Sequence, residues 1–254
     1  PHRVNFHLAL AESFLSKAAE TADKTNDANQ VTPLVASAVQ SAKTATDMSP
    51  NNIASWENLA AMYANAQAIT PEANGWTISA LETALALEPT NPSLYVAMGD
   101  ANVTKKDYVA AKKNYEIAIS LKPNLLIAYA RLALVKELEN DLAGSITALE
   151  SGLAYGIQDP TYVFQLGRYY FNRGEENDKA QAEMAFKKAI ALQPNYADAI
   201  YALGLLYEKN NIKKEALALY QRALELVPVN QELKTRINRL KNSEVVPEPV
   251  TPLE

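Results

Sequence analysis

The sequence has no cysteine, only two histidines and only eight glycines in 254 residues. Without cysteine it can form no disulfide, no thiol nucleophile and no cysteine-ligated zinc or iron–sulfur site. His2 and His7 both lie in the first turns of the chain, which excludes a histidine base or a multi-histidine metal site elsewhere. No glycine falls in a phosphate-binding or hydrolase motif. These absences predict a protein that is not an enzyme and that uses no cofactor or metal.

Positive charge and long apolar runs are also scarce. The chain has 24 Lys and Arg against 29 Asp and Glu, and residues 1–100 hold 4 basic and 10 acidic side chains. A nucleic-acid binder needs a basic surplus, so we expect no nucleic-acid partner. The longest uncharged apolar run, Ala199 to Tyr207, has about nine residues where a membrane-spanning helix needs about twenty. We therefore expect no membrane insertion by this chain.

What the sequence does contain is a repeat, marked by regularly spaced prolines. Pro89 and Pro123 are 34 residues apart, and so are Pro194 and Pro228. The residues before three of these prolines resemble one another: ALETALALEP, NYEIAISLKP and AFKKAIALQP. Each reads as the end of one helix followed by a turn, and no segment alternates as a strand would. A period of 34 residues predicts a series of helix pairs.

Two repeats show the pattern most completely, with bulky, small and proline residues at the same places. They are Tyr95, Met98, Gly99, Asn102, Ala111, Tyr115, Ala118 and Pro123, and Ile200, Leu203, Gly204, Tyr207, Ala216, Tyr220, Ala223 and Pro228. This pattern resembles the tetratricopeptide repeat. The resemblance implies an all-α, right-handed superhelical solenoid of about six helix pairs with a C-terminal capping helix. The small residues would let the helices of a pair approach closely.

The pattern divides the chain into a solenoid over 1–243 and a proline-rich tail over 244–254. The repeats are predicted at about 4–52, 53–91, 92–125, 126–159, 160–196 and 197–230, with a capping helix at 231–242. In the first repeat we expect a helix from about Val4 to Ala22 and a second near Thr32–Met48, because Thr32 before Pro33 is a helix start signal. Gly152 predicts that the second helix of its repeat ends near Tyr155–Gly156.

The resemblance also implies a groove, lined by the first helix of each pair, in which a partner binds. Mapped onto this sequence, the groove residues are Arg131, Leu134, Phe164, Arg168, Tyr169, Tyr201, Leu205 and Glu208. We expect Leu205 to pack between repeats, and Arg168 and Tyr201 to be accessible. This trough suits an extended peptide or a partner helix. Of the residues with which part of the family grips a C-terminal carboxylate, Asn58 and Arg131 have counterparts here, but Glu57 and Ala61 stand at two of the other positions, so we expect no such clamp.

These observations favour a non-catalytic scaffold that binds a protein or peptide partner, and two alternatives stay open. The alanine-rich first pair followed by WENLAAMY and ALALEPTNP resembles the soluble tail of bacterial O-antigen-ligase-like membrane proteins. The chain would then be an extracytoplasmic regulatory or docking domain of a polytopic glycan ligase or polymerase. Its start at Pro-His-Arg, without an initiator Met, predicts a fragment of a longer protein. The other alternative is a self-associating structural module, and the compartment stays open between cytoplasmic and extracytoplasmic.

Overall fold

The structure, a computed structural model, describes residues 2–25, 27–67, 70 and 72–244. These residues form thirteen α-helices and no strand. The helices are α1 (His2–Thr25), α2 (Ala28–Met48), α3 (Ile53–Ala66), α4 (Ala73–Leu87), α5 (Pro92–Thr104), α6 (Tyr108–Leu121), α7 (Leu126–Leu138), α8 (Leu142–Leu153), α9 (Pro160–Arg173), α10 (Asp178–Leu192), α11 (Ala197–Lys209), α12 (Lys213–Leu226) and α13 (Gln231–Glu244). The predicted all-α helical-repeat fold is confirmed. Within the described ranges, no helix has both the length and the apolarity of a membrane span.

Contacts divide the chain into two compact units, Pro1–Val135 (unit 1) and Lys136–Glu254 (unit 2). In unit 1 each of the helices α1 to α5 packs against the next one in the chain, and in unit 2 each of the helices α8 to α12 does the same. Helices two apart in the chain also touch: α1 contacts α3, and α9 contacts α11. Each helix is therefore held by its near neighbours in sequence, which is typical of a repeat fold.

The two helices of a pair approach closely where a glycine faces an aromatic ring. A Cβ built on Gly99 would lie 2.3 Å from Cε1 of Tyr115, and one on Gly204 would lie 2.6 Å from Cε1 of Tyr220. Gly167 meets Phe186 in the same way, at 2.7 Å. All three rings are buried almost completely. The missing side chain therefore makes room for the ring that fills the centre of the pair.

The turn between the two helices of a pair has the same geometry in four repeats, because the residue at one position of each repeat has a left-handed backbone conformation. These residues are Lys106 (φ 63°), Asn140 (φ 62°), Gly174 (φ 71°) and Asn211 (φ 62°). After three of them, a backbone N–H reaches back across the helix end, as from Asp107 to the carbonyl of Asn102 at 2.9 Å. Such a bond satisfies a carbonyl that the helix leaves free. The repeat thus fixes its turns as well as its helices.

The turn between successive pairs is fixed by a second recurring bond. Trp56 Nε1 donates to the carbonyl of Pro50 at 2.7 Å, and the hydroxyls of Tyr95 and Tyr129 donate to those of Pro89 and Pro123 at 3.0 Å. In each case the aromatic residue lies six positions after the proline. The proline that ends one pair is thereby tied to the first helix of the next.

In α1, α2 and α8 the structure differs from the predicted helix bounds. The helix α1 runs from His2 to Thr25, beyond the expected Val4 and Ala22. The expected start near Thr32 is wrong, because Asp27 accepts a hydrogen bond from the Asn29 N–H and caps α2 at Ala28. Pro33 then lies inside the second turn. The helix α8 ends at Leu153, earlier than Tyr155–Gly156, with Gly156 left-handed just after it.

The C-terminal helix extends to Glu244, two residues past the predicted capping helix. Its Leu233, Ile237 and Leu240 are buried against Ile200, Ala216 and Tyr220. They cover the apolar face of the last helix pair, as a capping helix does. The rest of the predicted proline-rich tail, 245–254, lies outside the described residues.

The inserted turn between α9 and α10 contains a buried ion pair. The carboxylate of Asp178, whose side chain is 2% exposed, receives two hydrogen bonds from Arg173 at 2.6 and 2.8 Å and one from the Glu175 N–H at 2.9 Å. The hydrogen bonds from Arg173 are the largest cause that lowers the pKa of Asp178 below its usual range, and the bond from the Glu175 N–H lowers it further. The pair therefore holds the three extra residues of this repeat in one conformation.

The close glycine contact predicts an inversion of the usual glycine rule. Gly→Ala in a helix normally adds up to about 1 kcal/mol of stability, but Gly204→Ala is expected to lose roughly 1–3 kcal/mol because the methyl overlaps Tyr220. Gly75→Ala in α4 is the control, since a Cβ there meets nothing within 4 Å. It should stabilise. Denaturant unfolding measures both, and a stabilising Gly204→Ala would contradict the packing described.

Removal of Arg173 should leave a buried carboxylate without its cation. Arg173→Met is expected to cost about 3 kcal/mol of unfolding free energy at neutral pH. Because the pKa of Asp178 is lowered in the folded state, its stabilising contribution is present above the unfolded value of about 3.9 and is lost as the pH falls through the folded value. The difference between wild type and variant in thermal melts should therefore shrink in acid. A difference independent of pH would contradict this assignment.

Candidate functional site

A pocket of about 310 Å³ opens between α3, α4 and α5 of unit 1. Its floor is apolar and buried, and its walls are built largely from alanine. The lining residues are Glu57, Ala60, Ala61, Ala64, Gln67, Asn74, Thr77, Leu81, Ser93, Leu94, Ala97, Asp100, Ala101 and Thr104. A volume near the lower end of the usual range for ligand sites, about 300–1,000 Å³, fits a few side chains of a partner.

The pocket has two acidic residues in its lining and no basic one. Asp100 is already neutralised, since its Oδ1 lies 3.1 Å from Nε of Arg131 and accepts the hydroxyl of Tyr115 at 2.7 Å. Glu57 has no ion pair or side-chain hydrogen bond among the described residues. Burial, and then the negative charge of Glu88, raises the pKa of Glu57. Glu57 is thus a half-buried carboxylate without a cation, at the rim of an apolar pocket.

In unit 2 the corresponding inner faces are occupied by side chains that bind one another. Nη1 and Nη2 of Arg168 donate to both oxygens of Glu137, at 2.6 and 2.8 Å. This bidentate pair raises the pKa of Arg168. The guanidinium also lies 5.0 Å from the centre of the Tyr169 ring. Arg168 is half-buried in this pair, so its charge is not free for a partner.

Tyr169 is fully buried, and its hydroxyl accepts a hydrogen bond from Gln165 at 3.0 Å. Burial raises the pKa of this phenol to about 12. Its side chain therefore faces the interior of the repeat, where it packs and does not meet solvent. The repeat pattern predicts Tyr169 at the groove, but packing within the repeat turns its side chain toward the interior.

The last helices contain a larger cluster of the same kind. Glu208 accepts hydrogen bonds from Tyr220 at 2.6 Å and Arg236 at 3.0 Å, and Arg239 also pairs with it. Although burial opposes the shift, these bonds lower the pKa of Glu208. The hydroxyl of Tyr201 donates to Glu232 at 2.6 Å. Both predicted groove residues, Tyr201 and Glu208, are thus tied to the capping helix α13.

The remaining predicted groove residues are apolar or lie in unit 1. Phe164 is half-buried against Phe186 and Tyr196, with ring centres 5.9 and 5.2 Å away. Leu205 is partly buried in the cluster around Tyr220, and Leu134 is partly buried in unit 1. The structure therefore brings Tyr201, Leu205 and Glu208 together and places Arg131 on Asp100. A partner-binding role for these eight residues stays a prediction.

The first helices of several successive repeats are joined by polar pairs of one sequence spacing. Polar pairs join the first helices of successive repeats at a separation of 31 residues, as in Asp100 with Arg131, Glu137 with Arg168, Tyr201 with Glu232 and Glu208 with Arg239. The repeat of α3 and α4 contains five inserted residues, so the same spacing becomes 36 residues there. The residues of α3 and α5 that correspond to Asp100 and Arg131 are Ala61 and Ala97. Two methyl groups cannot span this space. Among the described residues, no polar pair of this spacing crosses the α3–α5 junction, and the pocket opens there.

The repeat pattern does not predict this pocket, because the candidate groove residues that it gives are mostly large or charged side chains. An opening is made by small ones, and the signal present in the sequence was the run of alanines at inner-face positions 60, 61 and 64. Within the described ranges, no cluster of three or more His, Asp or Glu side chains is arranged to hold a metal ion.

Comparison with known proteins identifies the repeat. Residues 92–125 and 185–218 each match a family model described as "Tetratricopeptide repeat". The first match coincides with one predicted repeat, whose two helices are α5 and α6. The second runs from α10 through α11 into α12, across two predicted repeats. Both matches fit helix pairs of the observed fold.

Two curated relatives are similar at low identity. "Protein O-mannosyl-transferase TMTC1" of Mus musculus is 26% identical over 164 residues, which is 63% of this chain and 17% of that protein. "TPR repeat-containing protein YpiA" of Bacillus subtilis is 26% identical over 174 residues, 67% of this chain and 40% of YpiA. The chain thus spans less than half the length of either relative.

A solved structure supports the fold. The crystal structure of YrrB, described as "a TPR protein with an unusual peptide-binding site", superposes with a TM-score of 0.57 at 20% identity. The match covers 79% of this chain and 99% of YrrB. At this identity the likeness concerns the arrangement of helices.

The polar pairs of unit 2 predict a loss of stability on charge reversal. Arg168→Glu should lower the unfolding free energy by about 1 kcal/mol or more, because it sets two carboxylates together in a partly buried place. Combining it with Glu137→Arg should restore most of the loss, and Lys188→Glu on the exposed face of α10 is the control. If Arg168→Glu left the urea midpoint unchanged, the pair would not join the repeats.

Proposed function

We propose that this chain, which belongs to the tetratricopeptide-repeat proteins, is a non-catalytic scaffold that binds a protein or peptide partner in the pocket between α3, α4 and α5. The repeat fold supports an interaction module in general, and the open pocket supports this place in particular. The division into six helix pairs and a capping helix forms part of the proposal. It is supported by the succession of paired helices and by the buried face of α13.

The single observation that carries the choice of site is the contrast between the inner faces of the repeats. In unit 2 the predicted groove residues are half-buried or buried, and the polar ones Arg168, Tyr201 and Glu208 are held by Glu137 and by residues of α12 and α13. Around the α3–α5 junction, Ala61 and Ala64 are exposed over a floor of Ala60, Leu81 and Leu94. An exposed apolar concavity with a few polar groups at its rim is the usual form of a binding site.

The polar side chains in the pocket lining favour an extended peptide segment as the ligand. Gln67, Asn74 and Thr104 line the pocket with polar side chains, which can bond the backbone of a peptide while its side chains enter the apolar part. YrrB, whose structure superposes on this chain, is described as having a peptide-binding site. The transferase activity named for the mouse relative belongs to a protein of which this chain matches 17%.

Filling the pocket tests the proposal. Ala64→Trp places a large ring in the opening from an exposed helix position, so it should leave the fold intact while weakening peptide binding by at least about tenfold. Ala54→Trp is the matched control, since Ala54 is exposed on the same helix and does not line the pocket. Binding is measured by fluorescence anisotropy with peptides selected from a random displayed library on the wild-type chain. Equal affinity for wild type and Ala64→Trp would contradict the assignment.

A further inference from the structure

The charge of the α3–α5 pocket narrows the chemistry of the ligand. Of the two carboxylates in the lining, Asp100 is paired with the cation of Arg131 and accepts a hydrogen bond from the hydroxyl of Tyr115. Glu57 is half-buried and has no cation beside it within the described residues, while Glu88 adds a second negative charge nearby. A carboxylate held out of water without a partner costs folding stability. Its cost is offset when a ligand supplies the missing cation.

The apolar surface of the pocket determines which kind of cation fits beside Glu57. Alanine methyl groups and the buried Leu81 and Leu94 form an apolar floor, and Glu57 lies at its edge. Lysine and arginine have this same division, an apolar stem that ends in a charged head. A small hydrated ion would leave the apolar floor uncovered, and an uncharged aliphatic chain would leave Glu57 without a partner. The pocket complements one long basic side chain.

The surrounding charge acts in the same direction. Residues 1–100 hold 4 basic and 10 acidic side chains, and the pocket lies within and just after this segment. Such an excess attracts a basic ligand and speeds its association, and it repels acidic ones. It also distinguishes this site from one that would grip a carboxylate, for which the lining has no lysine or arginine.

We propose that the α3–α5 pocket binds a peptide through one lysine or arginine, whose stem lies on the alanine and leucine floor and whose cationic head pairs with Glu57. The inference rests on the proposed peptide-binding function and adds the residue type that the pocket recognises. Glu57 is then the residue that determines specificity, and the polar rim holds the peptide backbone without reading its sequence.

The test compares Glu57→Gln with wild type, and Glu82→Gln serves as the control because Glu82 is exposed on α4 and does not line the pocket. Short random peptides displayed on phage are selected on the wild-type chain, and the enriched ones are synthesised. We expect them to share a lysine or arginine. Its replacement by methionine should weaken binding at least about tenfold. Glu57→Gln should weaken the parent peptide equally and add little to the methionine peptide.

Folding of the variant is measured separately. Because the pKa of Glu57 is raised in the folded state, its charge destabilises the fold above that pKa, and the cost disappears as the pH falls below the unfolded value. Glu57→Gln should therefore melt at a slightly higher temperature than wild type at pH 7, with no gain in acid. A loss of binding by a more stable variant cannot be ascribed to unfolding.

The outcomes separate the two proposals. If Ala64→Trp abolishes binding but Glu57→Gln leaves it unchanged, the basic specificity is wrong and the pocket stays the binding site. If the enriched peptides bind Ala64→Trp as well as wild type, or if none is enriched, the proposed function itself is overturned. Enrichment of acidic or wholly uncharged peptides that need the pocket would also overturn the basic specificity.

Discussion

The close approach of a glycine on the first helix of a pair to an aromatic ring on the second is the contact on which three of the helix pairs depend. Where the ring is a tyrosine, burial of its edge against glycine also fixes its hydroxyl. Tyr115 then holds Asp100, which pairs with Arg131 of the next repeat, and Tyr220 holds Glu208, which pairs with Arg236 and Arg239. One packing contact inside a pair thus positions the polar contact to its neighbour.

The pocket lies in a repeat that departs from this scheme. In the repeat that contains α3 and α4, Ala60 and Leu81 take the places of the glycine and the aromatic ring, as Ala133 and Leu149 do in the repeat of α7 and α8. Ala61 and Ala97 stand where the next junction has Asp100 and Arg131, and Glu57 has no cation beside it among the described residues. No polar pair crosses the pocket. Such local exceptions to a stabilising pattern are expected at binding sites.

Much of the fold could be predicted from the sequence, because the 34-residue spacing of Pro89 and Pro123 and the small residues Gly99, Ala111 and Ala118 report helix pairs directly. Element ends were harder: Asp27 caps α2 ahead of the Thr32–Pro33 signal. The site was the least predictable part. Position within a repeat gives the face of a helix, but whether Arg168 meets solvent depends on Glu137, 31 residues earlier. Pairings of that kind, and the empty space left by alanines, appear only when neighbouring repeats are packed together.

The measurement that tests the central claim most directly is methyl NMR of the chain labelled at alanine, titrated with a peptide selected on it. The pocket is lined by Ala60, Ala61, Ala64, Ala97 and Ala101, so each wall carries its own reporter. We predict that shift changes concentrate on these methyl groups, while Ala202 and Ala218 in unit 2 stay unchanged. Changes confined to alanines of unit 2, with the pocket methyl groups unaffected, would contradict the account.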